Sequence, residues 1–303
     1  MSGSRAPGRT VAENAQLALL LEVTGTPKPG NVDREHDYPD LRFEHFVTGA
    51  VGALEGFRTA AAGEPVGAAF ERAIAGMAEQ RGGNTQFGAA LLLCPLVAAM
   101  ARAPPGGNGE DVRDGGNDRN DRELTPAGVA AVVEAATVAD AADFYRAFEY
   151  VDVAVDDPPT GMEALDVRRG EAAIPELEAR GLTLAGVMER SADVDGVARE
   201  WVGGFERSFR AAERIAALDG PVPERTARAF LEALADEPDT FVRTQHDAAT
   251  AREATERARA ALDGDVDPDE LADEFVDRGI NPGTTADVIA AGLFIALERG
   301  LSV

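Results

Sequence analysis

Apolar residues recur at helical spacing along almost the whole of this 303-residue chain, and no stretch shows the apolar–polar alternation of a half-buried strand. That single pattern restricts the fold more than any motif does. Hydrophobic residues make up 45% and aromatics only 6%, with alanine abundant, which suits close-packed helices rather than a sheet built on aromatic and β-branched side chains. The spacing predicts helices over about 10–23, 41–61, 65–80, 85–101, 125–136, 139–149, 166–179, 182–191, 195–218, 222–235, 238–262, 268–278 and 284–299. Thr10 and Glu13 form a capping box at the first of these, Pro65 suits a helix's first turn, and Thr125-Pro126 opens another. The expected fold is therefore all-α: one multi-helix bundle of about a dozen helices forming a single domain over 1–303. A low-complexity insert at about 103–123 holds almost nothing apolar and is expected to be a mobile, solvated loop.

The formal net charge is −25, from 54 acidic against 29 basic residues, and the acidity is spread along the chain. Such a surface repels nucleic acid and anionic membranes. Spread acidity with almost no lysine also matches a protein adapted to high salt, where screening weakens self-repulsion. No apolar run reaches membrane-spanning length and no signal peptide precedes the first helix, so a soluble cytoplasmic protein is expected. The only cysteine, Cys94, lies in an apolar run and reads as an inert core thiol; a lone cysteine excludes an internal disulfide and any multi-cysteine metal site. The sequence does not reveal an oligomeric state.

Against this background one residue is conspicuous. Lys28 is the only lysine in the chain. It sits in Thr26-Pro27-Lys28-Pro29-Gly30-Asn31-Val32-Asp33-Arg34, a stiff stretch between two apolar helices. A compact, strongly hydrated ammonium suits a phosphate or a single oxygen. The residues that follow, Asp33, His36, Asp37 and Asp40, add three carboxylates and an imidazole. Oxygen ligands of this kind suit Mg²⁺ carried by a phosphorylated substrate, and Asp37 or His36 offers proton transfer. The bland alternative is an exposed acidic loop in an acidic protein.

Two more loop-to-helix junctions contain glycine. Gly82-Gly83-Asn84-Thr85-Gln86 precedes an apolar helix; its backbone can approach a ligand closely, with free N–H groups at the helix start. Asn281-Pro282-Gly283-Thr284-Thr285-Ala286-Asp287 opens the last helix, with Asp287 in the first turn, where its charge suits the helix dipole. As plain structure, the first is a corner between helices and the second a well-capped helix. Trp201 and the Phe205/Phe209 pair read as core packing, and His45 and His246 show no partner that implies chemistry.

At these three junctions, in this order, the chain resembles the triphosphoribosyl-dephospho-coenzyme A synthase family, which serves the prosthetic group of citrate lyase and malonate decarboxylase. The resemblance implies an all-α fold. It also implies transfer of the triphosphoribosyl group of ATP, through ribose C1′, to the 2′-hydroxyl of dephospho-coenzyme A, with adenine leaving. It assigns Lys28, Asn31, Arg34, Gly82, Gly83, Asn84, Thr85, Gly283, Thr284, Thr285 and Asp287 to nucleotide and phosphate binding. Asp33, His36 and Asp37 become the proton-transfer candidates, and Asp33, Asp37 and Asp40 the Mg²⁺ candidates. Three departures concern the acceptor more than the nucleotide site. Gln86 stands where the bacterial family tends to have histidine and cannot carry a proton at neutral pH. Asp37-Tyr38-Pro39-Asp40 follows the pattern only in part, and Thr284-Thr285 stands where Gly-Ser is usual. Two other functions stay open on sequence alone: a ribosyl transferase or nucleosidase-type hydrolase with a different acceptor, and a non-catalytic nucleotide-binding protein.

Overall fold

A computed structural model describes residues 8–104, 122–158 and 161–303, so most of the expected insert and residues 159–160 lie outside the described residues. Among the described residues there are fifteen α-helices and no β-strand. They are α1 (Val11–Thr24), α2 (Phe43–Ala61), α3 (Val66–Met77), α4 (Phe87–Arg102), α5 (Pro126–Glu134), α6 (Val138–Ala147), α7 (Ile174–Arg180), α8 (Leu184–Ser191), α9 (Gly196–Val202), α10 (Glu206–Ala217), α11 (Val222–Asp236), α12 (Thr240–Gln245), α13 (Ala248–Asp263), α14 (Pro268–Arg278) and α15 (Gly283–Glu298). Short 3₁₀ segments at Glu163–Leu165 and Val167–Ala173 lead into α7.

The all-α expectation holds, and the sequence shows why the bundle is arranged as it is. Helices α4 and α15 each bury thirteen of their sixteen residues. A helix that is apolar all round has to lie in the interior. These two pack on each other, with α1, α2, α3, α5 and α9 against α4 and with α1, α9, α10, α11 and α12 against α15. The outer helices are amphipathic; α10, for example, buries Ser208, Phe209, Ala211, Ala212 and Ile215 and leaves Glu206, Arg210 and Glu213 exposed. Cys94 is fully buried in α4, where burial pushes its thiol up, as an inert core thiol requires.

Two long helices expected from periodicity are each two helices. The stretch 195–218 breaks at Gly203-Gly204, and Phe205 takes a left-handed φ of 63° before α10. The stretch 238–262 breaks at His246, because Asp247 accepts the backbone N–H groups of Ala249 and Thr250 and starts α13 afresh. Other local signals hold. Thr10 and Glu13 complete a reciprocal capping box on α1, and Thr125 caps α5 through Gly128 N–H. Pro65 ends up one residue earlier than expected, as the cap of α3.

Pro95 lies inside α4 and has no N–H, so the carbonyl of Leu91, four residues earlier, loses its helical donor. The buried indole of Trp201, on α9, supplies one: Nε1 donates to Leu91 O at 3.2 Å. The chain's single tryptophan is thus more than packing. Replacing Trp201 by Phe should lower stability by about 1–3 kcal/mol for the orphaned carbonyl alone, measured by urea unfolding. In a Pro95→Ala background, where the helix regains its own donor, the same replacement should cost less. Equal costs in both backgrounds would show that the indole only packs.

Candidate active site

The three junctions named by the sequence do come together, but not in the way their residue types suggest. The last turn of α1 carries Glu22, which is 1% exposed, and the loop after it carries Lys28, which is 0% exposed. The Lys28 ammonium forms a short ion pair with Glu22 Oε1 and donates to Asn31 Oδ1 at 2.9 Å, with the Phe230 ring 5.8 Å away on its other side. The second Glu22 oxygen accepts from Gln86 Nε2 at 3.1 Å, at the start of α4. Asn31 donates to Asn281 Oδ1 at 3.0 Å, just before α15. A charge network therefore links α1, the Lys28 loop, α4 and α15. Burial pushes the Glu22 carboxyl up, and the Lys28 ammonium opposes that shift. Backbone contact tightens the same join: Gly30 has φ +73°, and a Cβ there would lie 1.8 Å from Ile280 O.

The Lys28 loop is held by its own side chains. Asp33 is fully buried; one oxygen accepts the backbone N–H groups of Glu35 (2.8 Å) and His36 (3.0 Å) and contacts His36 Nδ1 (2.9 Å), and the other accepts Lys28 N–H at 2.9 Å. Tyr38 Oη donates to Gly30 O at 2.6 Å. Asp37 is exposed and accepts Phe43 N–H at 2.7 Å at the start of α2; Asp40 and Arg34 are exposed. Asp33, Asp37 and Asp40 therefore do not share a point. Among the described residues no three Asp, Glu, His or Cys side chains gather as a metal cage. The donors expected for Mg²⁺ do not fit it as a set.

A cleft of about 390 Å³ opens where α4 and α15 begin. Asn84, Phe87 and Gly88 line it from α4's start, and Thr284 and Asp287 line it from α15. Phe144 and Tyr145 of α6 and Phe148 just after it form an aromatic wall, with the Phe87 and Phe148 rings 4.8 Å apart. Thr240 of α12 completes the polar end: its hydroxyl meets Thr284 Oγ1 at 3.0 Å and accepts Gly196 N–H at 2.9 Å. Buried Asp239 accepts both Thr285 N–H and Thr285 Oγ1–H at 2.7 Å, fixing the first turn of α15.

Asp287 is the most perturbed acid in this cleft. Burial, then the negative charges of Glu22, Asp239 and Asp195, hold its carboxyl well above the usual range, against the opposing hydrogen bond from Ala89 N–H. Only glycine at position 88 allows this approach, since a Cβ there would lie 2.0 Å from Asp287 Oδ2. Of the other sequence candidates, Asn84 caps α4 by accepting Phe87 N–H at 3.1 Å, and Gly283 packs on Phe241. Gly82 lies against His45, Gly83 is exposed at a turn with φ +68°, and Thr85 Oγ1 is buried without a hydrogen-bond partner. His45 accepts Arg42 N–H at 3.1 Å, and His246, which has no evident partner in the sequence, meets Gly279 O at 2.9 Å.

Sequence reasoning missed Glu22, Gly88, Asp239 and the aromatic wall. Glu22 and Gly88 had signals: a lone carboxylate closing the apolar run of α1, and a glycine in the first turn of an apolar helix, where it weakens the helix. Asp239 and the α6 aromatics had none, because only the fold brings them to the cleft.

The family model for ATP:dephospho-CoA triphosphoribosyl transferase matches residues 8–302, nearly the whole chain. The chain belongs to this family. It is accordingly a transferase of the triphosphoribosyl-dephospho-CoA synthase kind, with ATP and dephospho-CoA as the family's substrates. A crystal structure from Archaeoglobus fulgidus, provisionally named a triphosphoribosyl-dephospho-coA synthase, is 24% identical and superposes with a TM-score of 0.66 over 86% of this chain and 100% of that one. At that identity the likeness bears on the fold alone. No curated protein matched the chain. Among the described residues no helix is long and apolar enough to cross a membrane.

If the Lys28–Glu22 pair is the keystone of the join, Lys28→Ala should cost about 3–5 kcal/mol by leaving a buried carboxylate unpaired. A solvent-exposed ligand contact would instead cost within about 0.5 kcal/mol. The double variant Lys28→Met with Glu22→Gln should recover much of the loss. Urea unfolding of the three variants decides between them.

Proposed function

We propose that the cleft at the starts of α4 and α15 binds the ATP that this family uses, and that Asp287 is the proton donor to the departing adenine. The observation carrying this reading is a carboxyl pressed against Gly88, lining a cleft with an aromatic wall on one side and hydroxyls on the other. The volume lies in the range of small-molecule sites. The aromatic wall offers apolar ring surface of the kind a purine packs against.

In the reaction the acceptor 2′-hydroxyl attacks ribose C1′ and gives up its proton to water, the bond from C1′ to adenine breaks, and the electron pair leaves with the base, which takes up the proton of Asp287. Adenine departs readily only if a proton reaches it, and a carboxyl held above its ordinary range still carries that proton where a free aspartate has lost it. Thr284 and Asn84 offer polar contacts to the sugar, and Thr240 and Asp239 keep the first turn of α15 in place. Both α4 and α15 begin at this cleft, and the positive end of a helix dipole favours negative charge nearby. The other carboxylates of the lining argue that the triphosphate enters with a cation, and Mg²⁺ is the natural choice; it would neutralise phosphate charge, and we assign no residue to it. The acidic, lysine-poor surface suggests that assays belong in high salt.

The test is release of adenine from ATP and Mg²⁺ with and without dephospho-CoA. Release that depends on dephospho-CoA and yields a coenzyme adduct supports the reading, and adenine release without an adduct points to another acceptor or water. Asp287→Asn should lower kcat by about 10²- to 10⁴-fold, with helical content unchanged. Because Asp287 acts as the acid, kcat/KM should fall as pH rises through its raised pKa, above the range near 4 where a free aspartate titrates. A wild-type pH profile flat through that region would remove Asp287 from this role. Gly88→Ala should mimic Asp287→Asn by pushing the carboxyl aside.

A further inference from the structure

The sequence put its one lysine forward as the phosphate contact, and the structure buries that ammonium against Glu22. A triphosphate in the cleft therefore needs another cation. Resting on the nucleotide reading above, we propose that Arg190, at the end of α8, is the triphosphate contact of the cleft.

Among the described residues, Arg190 is the only basic one that lines the cleft. The carboxylates of the lining are each already engaged. Asp157 and Asp166 meet Arg168 at 2.8 and 2.6 Å, and Asp156 meets Arg243 at 3.3 Å. Asp195 accepts Ala198 N–H at 2.7 Å, and Asp287 takes the hydrogen bond of Ala89. The two arginines that serve the acidic rim lie outside the lining, and the one inside it pairs with no carboxylate among the described residues. Among the described residues its one hydrogen bond runs from Nη1 to Gly186 O, 2.8 Å away on its own helix. That bond orients the guanidinium and leaves most of its five N–H donors free. In a chain of net charge −25, an arginine with no acidic partner on the wall of a nucleotide cleft is poised for a multivalent anion. A planar fork of donors suits phosphate oxygens, which it can bind two at a time.

The contact is to phosphate and not to base or ribose, and this sets the experiment. Titration calorimetry of the full-length protein with MgATP and with AMP separates the two. Arg190→Ala should weaken MgATP binding about 10- to 100-fold, as loss of a charge-assisted contact predicts, while leaving AMP binding within about twofold. Discrimination between the two nucleotides should shrink accordingly. Arg190→Lys should restore part of the loss, and Arg190→Glu should deepen it. In steady state the loss should appear in KM for ATP and not in kcat.

Unchanged MgATP affinity in Arg190→Ala overturns the proposal. So does an equal loss for ATP and AMP, which would mark a general disturbance of the cleft. Wild-type protein that binds MgATP but releases no adenine with any acceptor refutes the reaction assigned above and leaves the Arg190 comparison intact.

Discussion

A buried ammonium meeting a buried carboxylate holds this molecule's working end together. Lys28 and Glu22 cost solvation to bury, and their attraction offsets that cost only because Asn31, Gln86 and the Phe230 ring occupy the remaining directions around them. Each of those partners belongs to a different segment. Breaking the pair would therefore do more than remove one contact: it would release the Lys28 loop from Asn281 and the start of α4 from α1. The cleft opens beside this join, where two interior helices begin next to each other.

The consequence for electrostatics is less obvious. Glu22 lies close enough to Asp287 for its charge to raise that carboxyl. The carboxylate that joins α1 to the start of α4 thus also raises the Asp287 carboxyl. Asp239 does the same from the other side, holding Thr285 in place while adding negative charge near Asp287. Structural anchoring and proton affinity are coupled through the same residues, so neither can drift without the other.

Much of the fold was legible because helical spacing is a strong, local signal and because α4 and α15 are apolar on every side. The splits at Gly203-Gly204 and before Asp247 were not recovered, since periodicity runs smoothly across both breaks. The meeting of the three junctions was legible in outline: Asn31 bonds Asn281, and Asn84, Thr284 and Asp287 line one cleft. What the letters could not show was the direction in which each group points. Lys28 looked like a ligand contact, but its charge is matched by a residue six positions earlier. Asp33 looked like a metal ligand, but its oxygens are filled by backbone N–H groups. Nothing in the letters singles out Arg190, since only three-dimensional placement shows it on the cleft without a carboxylate partner among the described residues.

The indole that repairs α4 at Pro95 has a further use. Its acceptor, Leu91, belongs to the cleft wall, and the chain has no second tryptophan to blur the signal. Tryptophan fluorescence thus arises from one indole tied by a hydrogen bond to the wall of the cleft, giving this protein an unlabelled optical reporter of whatever occupies it.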